Sequence, residues 1–215
     1  PFAFIVAASV GMILERGVIR YLYGRPLETL LATFGISLFL QQLVRTIFSP
    51  INMPVSNPEW MGGMLQVHSA LNLSYGRIYI LLFSLIVFFT LRIILRKTHF
   101  GTEVRAVMQN RSMAKAMGIK TGWIDSLTFG LGSGIAGIAG VALSQITNVG
   151  PNLGQSYIID SFMVVVFGGV GNLLGTLSGA FILGISNKFL EPYAGAVLAK
   201  ILVLIFVILF IQLKP

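Results

Sequence analysis

The chain contains no cysteine. That absence excludes a disulfide framework and a thiolate metal site, and it leaves the redox compartment unread. Charge is nearly as scarce: Asp, Glu, Lys and Arg make up 10% of the residues, against about 25% in an ordinary soluble domain. The two histidines, His68 and His99, are far apart in sequence and have no metal-ligand spacing. H-E-x-x-H, G-x-S-x-G and G-x-x-x-x-G-K-[ST] are all missing. The residues therefore offer no catalytic constellation and no phosphate-binding loop, and no metal or cofactor site is expected.

What the chain has instead is apolar surface. Hydrophobic residues make up 55% of it and the mean hydropathy is +0.87, the signature of an integral membrane protein. The net charge of +8 does not point to nucleic acid. The basic residues sit in short loops between apolar runs rather than in a patch interleaved with exposed aromatics, which is the pattern of membrane topology.

Crossing about 30 Å of hydrocarbon takes about 20 residues of helix. Spans are predicted near 1–14, 27–48, 77–95, 126–146, 157–170, 173–189 and 197–213. The fold class is therefore an all-α polytopic bundle of about seven spans, forming a single transmembrane domain over 1–215. The pair within 157–189, separated by GGVGN at 168–172, could instead form one broken or re-entrant element. The opening PFAFIVAASV has no initiator Met and no charged leader region, so the chain is expected to start inside a helix, with earlier spans removed.

Arg16, Arg20 and Arg25 place the first loop in the cytosol. The segment 96–124, with Arg96, Lys97, Arg105, Arg111 and Lys115, belongs there too. The loop 49–76, with Pro50, Pro54, Pro58 and Trp60, suits the outer side. Lys188 and Lys200 then fall outside, against the rule, and are read as snorkelling from helix ends. Lys214 returns the C-terminus to the cytosol. Arg45, Arg77 and Arg92 read as interfacial anchors.

Within the cytosolic segment, Val104, Val107 and Met108 fall at i, i+3 and i+4 on one apolar face. Ser112 is positioned to cap a second short helix that carries Ala114 and Met117 and stops at Gly118. A basic, two-helix element between spans nearly free of charge is what a transporter presents to a soluble partner.

Gly132, Gly134 and Gly137 form a literal G-x-G-x-x-G. It lies inside an apolar span with no preceding strand and no acidic residue at the needed distance after it, so a dinucleotide site is rejected. Gly130 and Gly134 recur at helix-packing spacing, as do Gly171, Gly175 and Gly179 after Gly168 and Gly169. The last group also marks a hinge or pathway edge. Asp160 is placed at the start of the fifth span, near the positive end of a helix dipole. If it were deeper it would need a functional partner. Ser144, Gln145 and Asn148 supply uncharged donors and acceptors suited to a small polar solute, and with Asp160 they form the candidate pathway.

The stretches 15–45, RAVMQNRSMAKAMGI at 105–119, 127–172 (ending VGPNLGQSYIIDSFMVVVFGGVGN) and the closing ILFIQLKP resemble the permease subunits of branched-chain amino acid ABC importers, most closely the urea-type permeases. The resemblance implies a bacterial inner-membrane permease paired with a second homologous permease, two cytosolic ATPases that use the ATP, and an extracytoplasmic solute-binding protein. It implies urea as the solute, with a branched-chain amino acid or short amide as the alternative. It makes Arg105, Val107, Met108, Gln109, Asn110, Arg111, Met117 and Gly118 the ATPase-coupling residues. A passive channel would need no docking segment. An ion-driven carrier would call for paired intramembrane charges, of which Asp160 is the main candidate. An intramembrane enzyme has no constellation to support it.

Overall fold

A computed structural model describes residues 1–55, 64–68 and 71–213. Pro58, Trp60 and Lys214 lie outside them. Two compact units result, 1–151 and 152–215.

The first unit begins with α1 (Phe2–Gly17), a 3₁₀ turn (Ile19–Leu22) and α2 (Pro26–Phe48). Proline at the first position presets the helical φ of α2 without wasting a donor. A short antiparallel hairpin, β1 (Met64–His68) and β2 (Leu71–Ser74), lies within the expected 49–76 loop. Met53 and Val149 bridge that loop to the end of α6. Then come α3 (Tyr75–Lys97), α4 (His99–Gln109), α5 (Arg111–Ala116) and α6 (Thr121–Ser144). α1 and α6 pack together through small residues. Gly130 lies against Met12, Gly134 against the Phe4 ring and Gly137 against Ala7, the close approach that the glycine spacing predicts.

The second unit holds α7 (Leu153–Gly168) and α8 (Leu173–Leu213). The helical assignment of α8 runs across a kink at Gly195, which has φ 77° and ψ 160°, three residues after Pro192. Leu183 and Val203 nevertheless share one buried cluster with Met163 and Val207. Along an unbroken helix those two residues would lie roughly 30 Å apart at about 1.5 Å per residue. The chain therefore folds back at Gly195, and the two limbs of α8 correspond to the expected spans 173–189 and 197–213. Gly169 and Gly171, both at positive φ, break the chain between α7 and α8. Gly168 and Gly175 then meet backbone to backbone, with Gly179 against Val164 O. The pair within 157–189 is thus two packed helices.

The fold is polytopic and helical. By length and composition, four helices among the described residues suffice to cross a membrane: Leu27–Phe48, Tyr75–Lys97, Thr121–Ser144 and Leu173–Gln212, the last counted across its kink. α1 and α7 have 16 residues each, about 24 Å of helix. α6 and α7 start earlier than the sequence predicts, at Thr121 and Leu153 rather than 126 and 157. Backbone hydrogen bonding continues through polar residues that a hydropathy window leaves out.

Candidate functional site

Two places gather polar chemistry. The first surrounds α4 and α5. Thr98 caps α4 by accepting from the Gly101 N–H at 3.3 Å. One residue of extended backbone thus separates α3 from α4. Val104 is buried, and with Val107 and Met108 it lines a cleft against Ile124, Thr128 and Phe129 of α6. The expected apolar face exists, although Met108 is 75% exposed and forms its outer lip.

The cap of α5 differs from expectation. Asn110, not Ser112, occupies that position, and its Oδ1 accepts from the Met113 N–H at 3.0 Å. Both residue types cap well. The deciding factor is that α4 closes at Gln109, which leaves Asn110 as the extended residue between the two helices. Gly118 stops the helix as expected: at φ 85° its N–H reaches Lys115 O, and the Ile119 N–H reaches Ala114 O. Together these form a paired C-terminal cap. Asn110→Ala should release the first turn at a cost of about 1 kcal/mol, which appears as roughly fivefold faster amide exchange at Met113.

Arg111 is held in place. Its Nη2 contacts Asp125 Oδ2 at 2.5 Å, and its guanidinium lies 4.9 Å from the centre of the Tyr23 ring. Tyr23 donates to Glu15 Oε1 at 3.3 Å, Ser126 donates to Glu15 Oε2, and Arg16 Nε donates to Ser126 Oγ at 3.4 Å. Glu15 and Ser126 are fully buried. Burial, then Asp125 and Glu15, push the Tyr23 phenol up to about 12, so it remains a donor throughout the physiological range. A continuous polar chain therefore ties α5 to the end of α1 and the start of α6. Arg105 donates to Leu95 O and to Thr102 Oγ1, the latter at 3.3 Å, and so braces α4 against α3. Gln109, Met113 (61%) and Met117 (77%) remain exposed. Beside them Arg16, Arg20, Lys115 and Lys120 line an open basic recess of about 540 Å³ with Trp123. Arg16 stacks on the Trp123 ring at 4.2 Å.

The second place is within 152–215. Asp160 sits in the third turn of α7, not at its start, because the helix begins at Leu153. It is not a helix-terminus group. Its Oδ2 accepts from Lys200 Nζ at 2.8 Å. Lys200 is accordingly paired rather than snorkelling, and Lys188 pairs with Glu191 at 2.6 Å. Ser144 and Gln145 lie at the end of α6, where Gln145 Nε2 donates to Ser144 Oγ at 3.3 Å. Asn148 is exposed. Among the described residues no three His, Asp or Glu side chains converge as a metal site.

Glu15, Tyr23, Asp125, Ser126 and Lys200 escape a reading of the sequence. The ERG at 15–17 looks like the start of a solvated loop, and nothing local marks Glu15 as buried.

Compared with known families, residues 1–213 match the profile of the "Branched-chain amino acid transport system / permease component". The chain belongs to that family. The LivH high-affinity branched-chain amino acid permease protein of Salmonella typhimurium is 27% identical over 218 residues, covering 99% of this chain and 70% of that one. BraD of Pseudomonas aeruginosa, named for the same transport, is 30% identical over 193 residues, 87% of this chain and 62% of its own length. The ribose import permease RbsC of Bacillus subtilis is 32% identical over 111 residues, 48% of this permease and 34% of its own length. No solved structure matches. The chain is thus a transport subunit of a multi-pass membrane system rather than an enzyme.

Proposed function

We propose that this permease is the membrane half of an ATP-driven importer for branched-chain amino acids, with 96–124 inside the cell as the segment gripped by a separate ATPase. The observation that carries this reading is the contrast within that segment. Gln109, Met113 and Met117 stay exposed while Arg111 is locked to Asp125 and Tyr23. A helix that offers flexible apolar side chains outward and is fixed inward suits a helix-in-groove contact. Its firm attachment to α1 and α6 would pass an ATPase movement to the spans. A second permease, two ATPases and an extracytoplasmic binding protein complete the assembly, in a bacterial inner membrane with the C-terminus inside.

A urea or short-amide substrate is the second reading. It is favoured by the uncharged Ser144, Gln145 and Asn148 group and by the resemblance of 127–172 to urea-type permeases. The transport for which LivH and BraD are named supports the amino acid more strongly.

The test is uptake of labelled leucine and of labelled urea in cells carrying the permease with its partner subunits, before and after ATP depletion. Leucine uptake should depend on ATP. It should fall to background when Gln109, Asn110 and Arg111 are replaced by alanine, with the permease still present in the membrane. Urea uptake alone moves the assignment to the second reading. Flux that survives ATP depletion makes the protein a channel.

A further inference from the structure

In 152–215 the Asp160–Lys200 pair borders a cavity of about 140 Å³, the volume of roughly four or five water molecules at about 30 Å³ each. Its other polar member is Asn187, whose buried Oδ1 has no hydrogen-bond partner among the described residues. Its apolar wall includes Met163, Leu183 and Val203. Opposite charges, an unused acceptor and aliphatic surface thus meet within apolar helices whose other charges, Lys188 and Glu191, pair with each other. An ionisable pair in such helices requires a reason beyond packing.

We propose that this cleft is a transient subsite for a small aliphatic amino acid bound as the zwitterion. Its ammonium is taken by Asp160, its carboxylate by Lys200, a further N–H by Asn187 Oδ1, and its side chain by Met163, Leu183 and Val203. The inference rests on the amino acid reading above and names the residues that would carry it. The physical argument is charge exchange. A zwitterion entering between Asp160 and Lys200 replaces each ion's partner with another of the same sign, so neither charge is left without a partner beside apolar helices. An amine alone strands Lys200 and an acid alone strands Asp160. Urea would have to part the two ions without replacing either charge. Because the intrachain pair competes with the solute, binding is weak and release easy, as a translocation pathway requires.

The test uses the permease purified with its partner subunits, in lipid nanodiscs and without the binding protein, so that only sites on the assembly are read. Unfolding is followed with millimolar leucine, leucinamide, 4-methylpentanoate or urea, since a ligand that binds the folded state raises Tm. Leucine alone should raise the Tm of the native protein. In Asp160→Asn the leucine shift should vanish and 4-methylpentanoate should acquire one. In Lys200→Met leucinamide should acquire one instead. A purely structural ion pair would not exchange ligand preference in this way. If either charge variant fails to fold, Asn187→Leu leaves the pair intact and should still reduce the leucine shift.

A native protein that shows ATP-dependent leucine uptake but no leucine shift overturns the subsite and leaves the importer standing. A shift indifferent to all three substitutions does the same. ATP-dependent uptake of urea without leucine overturns both readings.

Discussion

Gly175→Leu should prevent the permease from accumulating as a folded protein and abolish its uptake. A Cβ at Gly175 would overlap Gly168 O and lie 3.0 Å from its carbonyl carbon, and one at Gly168 would lie 2.5 Å from Gly175 O. Both obstacles are backbone, which cannot step aside by changing rotamer. α7 and the first limb of α8 must separate, and the cluster of Met163, Leu183, Val203 and Val207 loses its contacts with them. Overpacking typically costs about 1 to 3 kcal/mol where side chains yield, and the cost here is at or above the top of that range. Two controls set the scale. Gly134→Leu meets the Phe4 ring at 2.5 Å, a side chain that can rotate, and should be milder. Gly35→Ala, which faces open space in α2, should be close to neutral. Thermal unfolding in detergent, with uptake in cells, checks the series. A Gly175→Leu protein as stable and active as the native one would show that the helices are not in backbone contact.

The second large effect falls on Glu15. Glu15→Ala empties a fully buried side-chain volume and removes the acceptor shared by Ser126 and Tyr23. Ser126 has an alternative in Gly122 O at 3.0 Å, and Tyr23, 45% exposed, can turn to water. The loss is therefore mainly that of the cavity, about 2 to 4 kcal/mol. Glu15→Gln keeps the volume and one acceptor and should cost about 1 kcal/mol. The same substitutions loosen the tie between α5 and α1, so hydrogen exchange at Met113 and Ala114 should rise in Glu15→Ala and hardly change in Glu15→Gln. Equal unfolding temperatures for the two variants would mean that the buried chain of hydroxyls and carboxylate holds nothing together.

The two effects differ in how far the sequence foretells them. Glycine spacing is a local signal, and Gly130, Gly134, Gly168, Gly175 and Gly179 all lie where helices meet. The positions of the spans follow from hydropathy for the same reason, including the gap at 189–197 where Gly195 turns the chain. Pairings over long sequence distances leave no such trace. Arg111 reaches Asp125 across the α5–α6 turn, and Lys200 reaches Asp160 from the far limb of α8. Each of these residues reads alone as a helix-end charge. The Asn110 cap was ambiguous locally, because Asn110 and Ser112 are both good caps and only the end of α4 chooses between them. Within the candidate site, the apolar face of α4 was legible as periodicity and the cleft beside Asp160 was not.

The Asp160–Lys200 pair also bears on how the protein is made. Its members are 40 residues apart in the chain. At a synthesis rate of about 5 to 20 residues per second, Asp160 leaves the ribosome roughly 2 to 8 seconds before Lys200. Throughout that interval α7 carries an unneutralised carboxylate and is a poor candidate for release into lipid. Only when the chain has turned at Gly195 does the three-helix piece become electrically neutral. α7 and both limbs of α8 should therefore leave the insertion machinery together, as one late unit, rather than helix by helix.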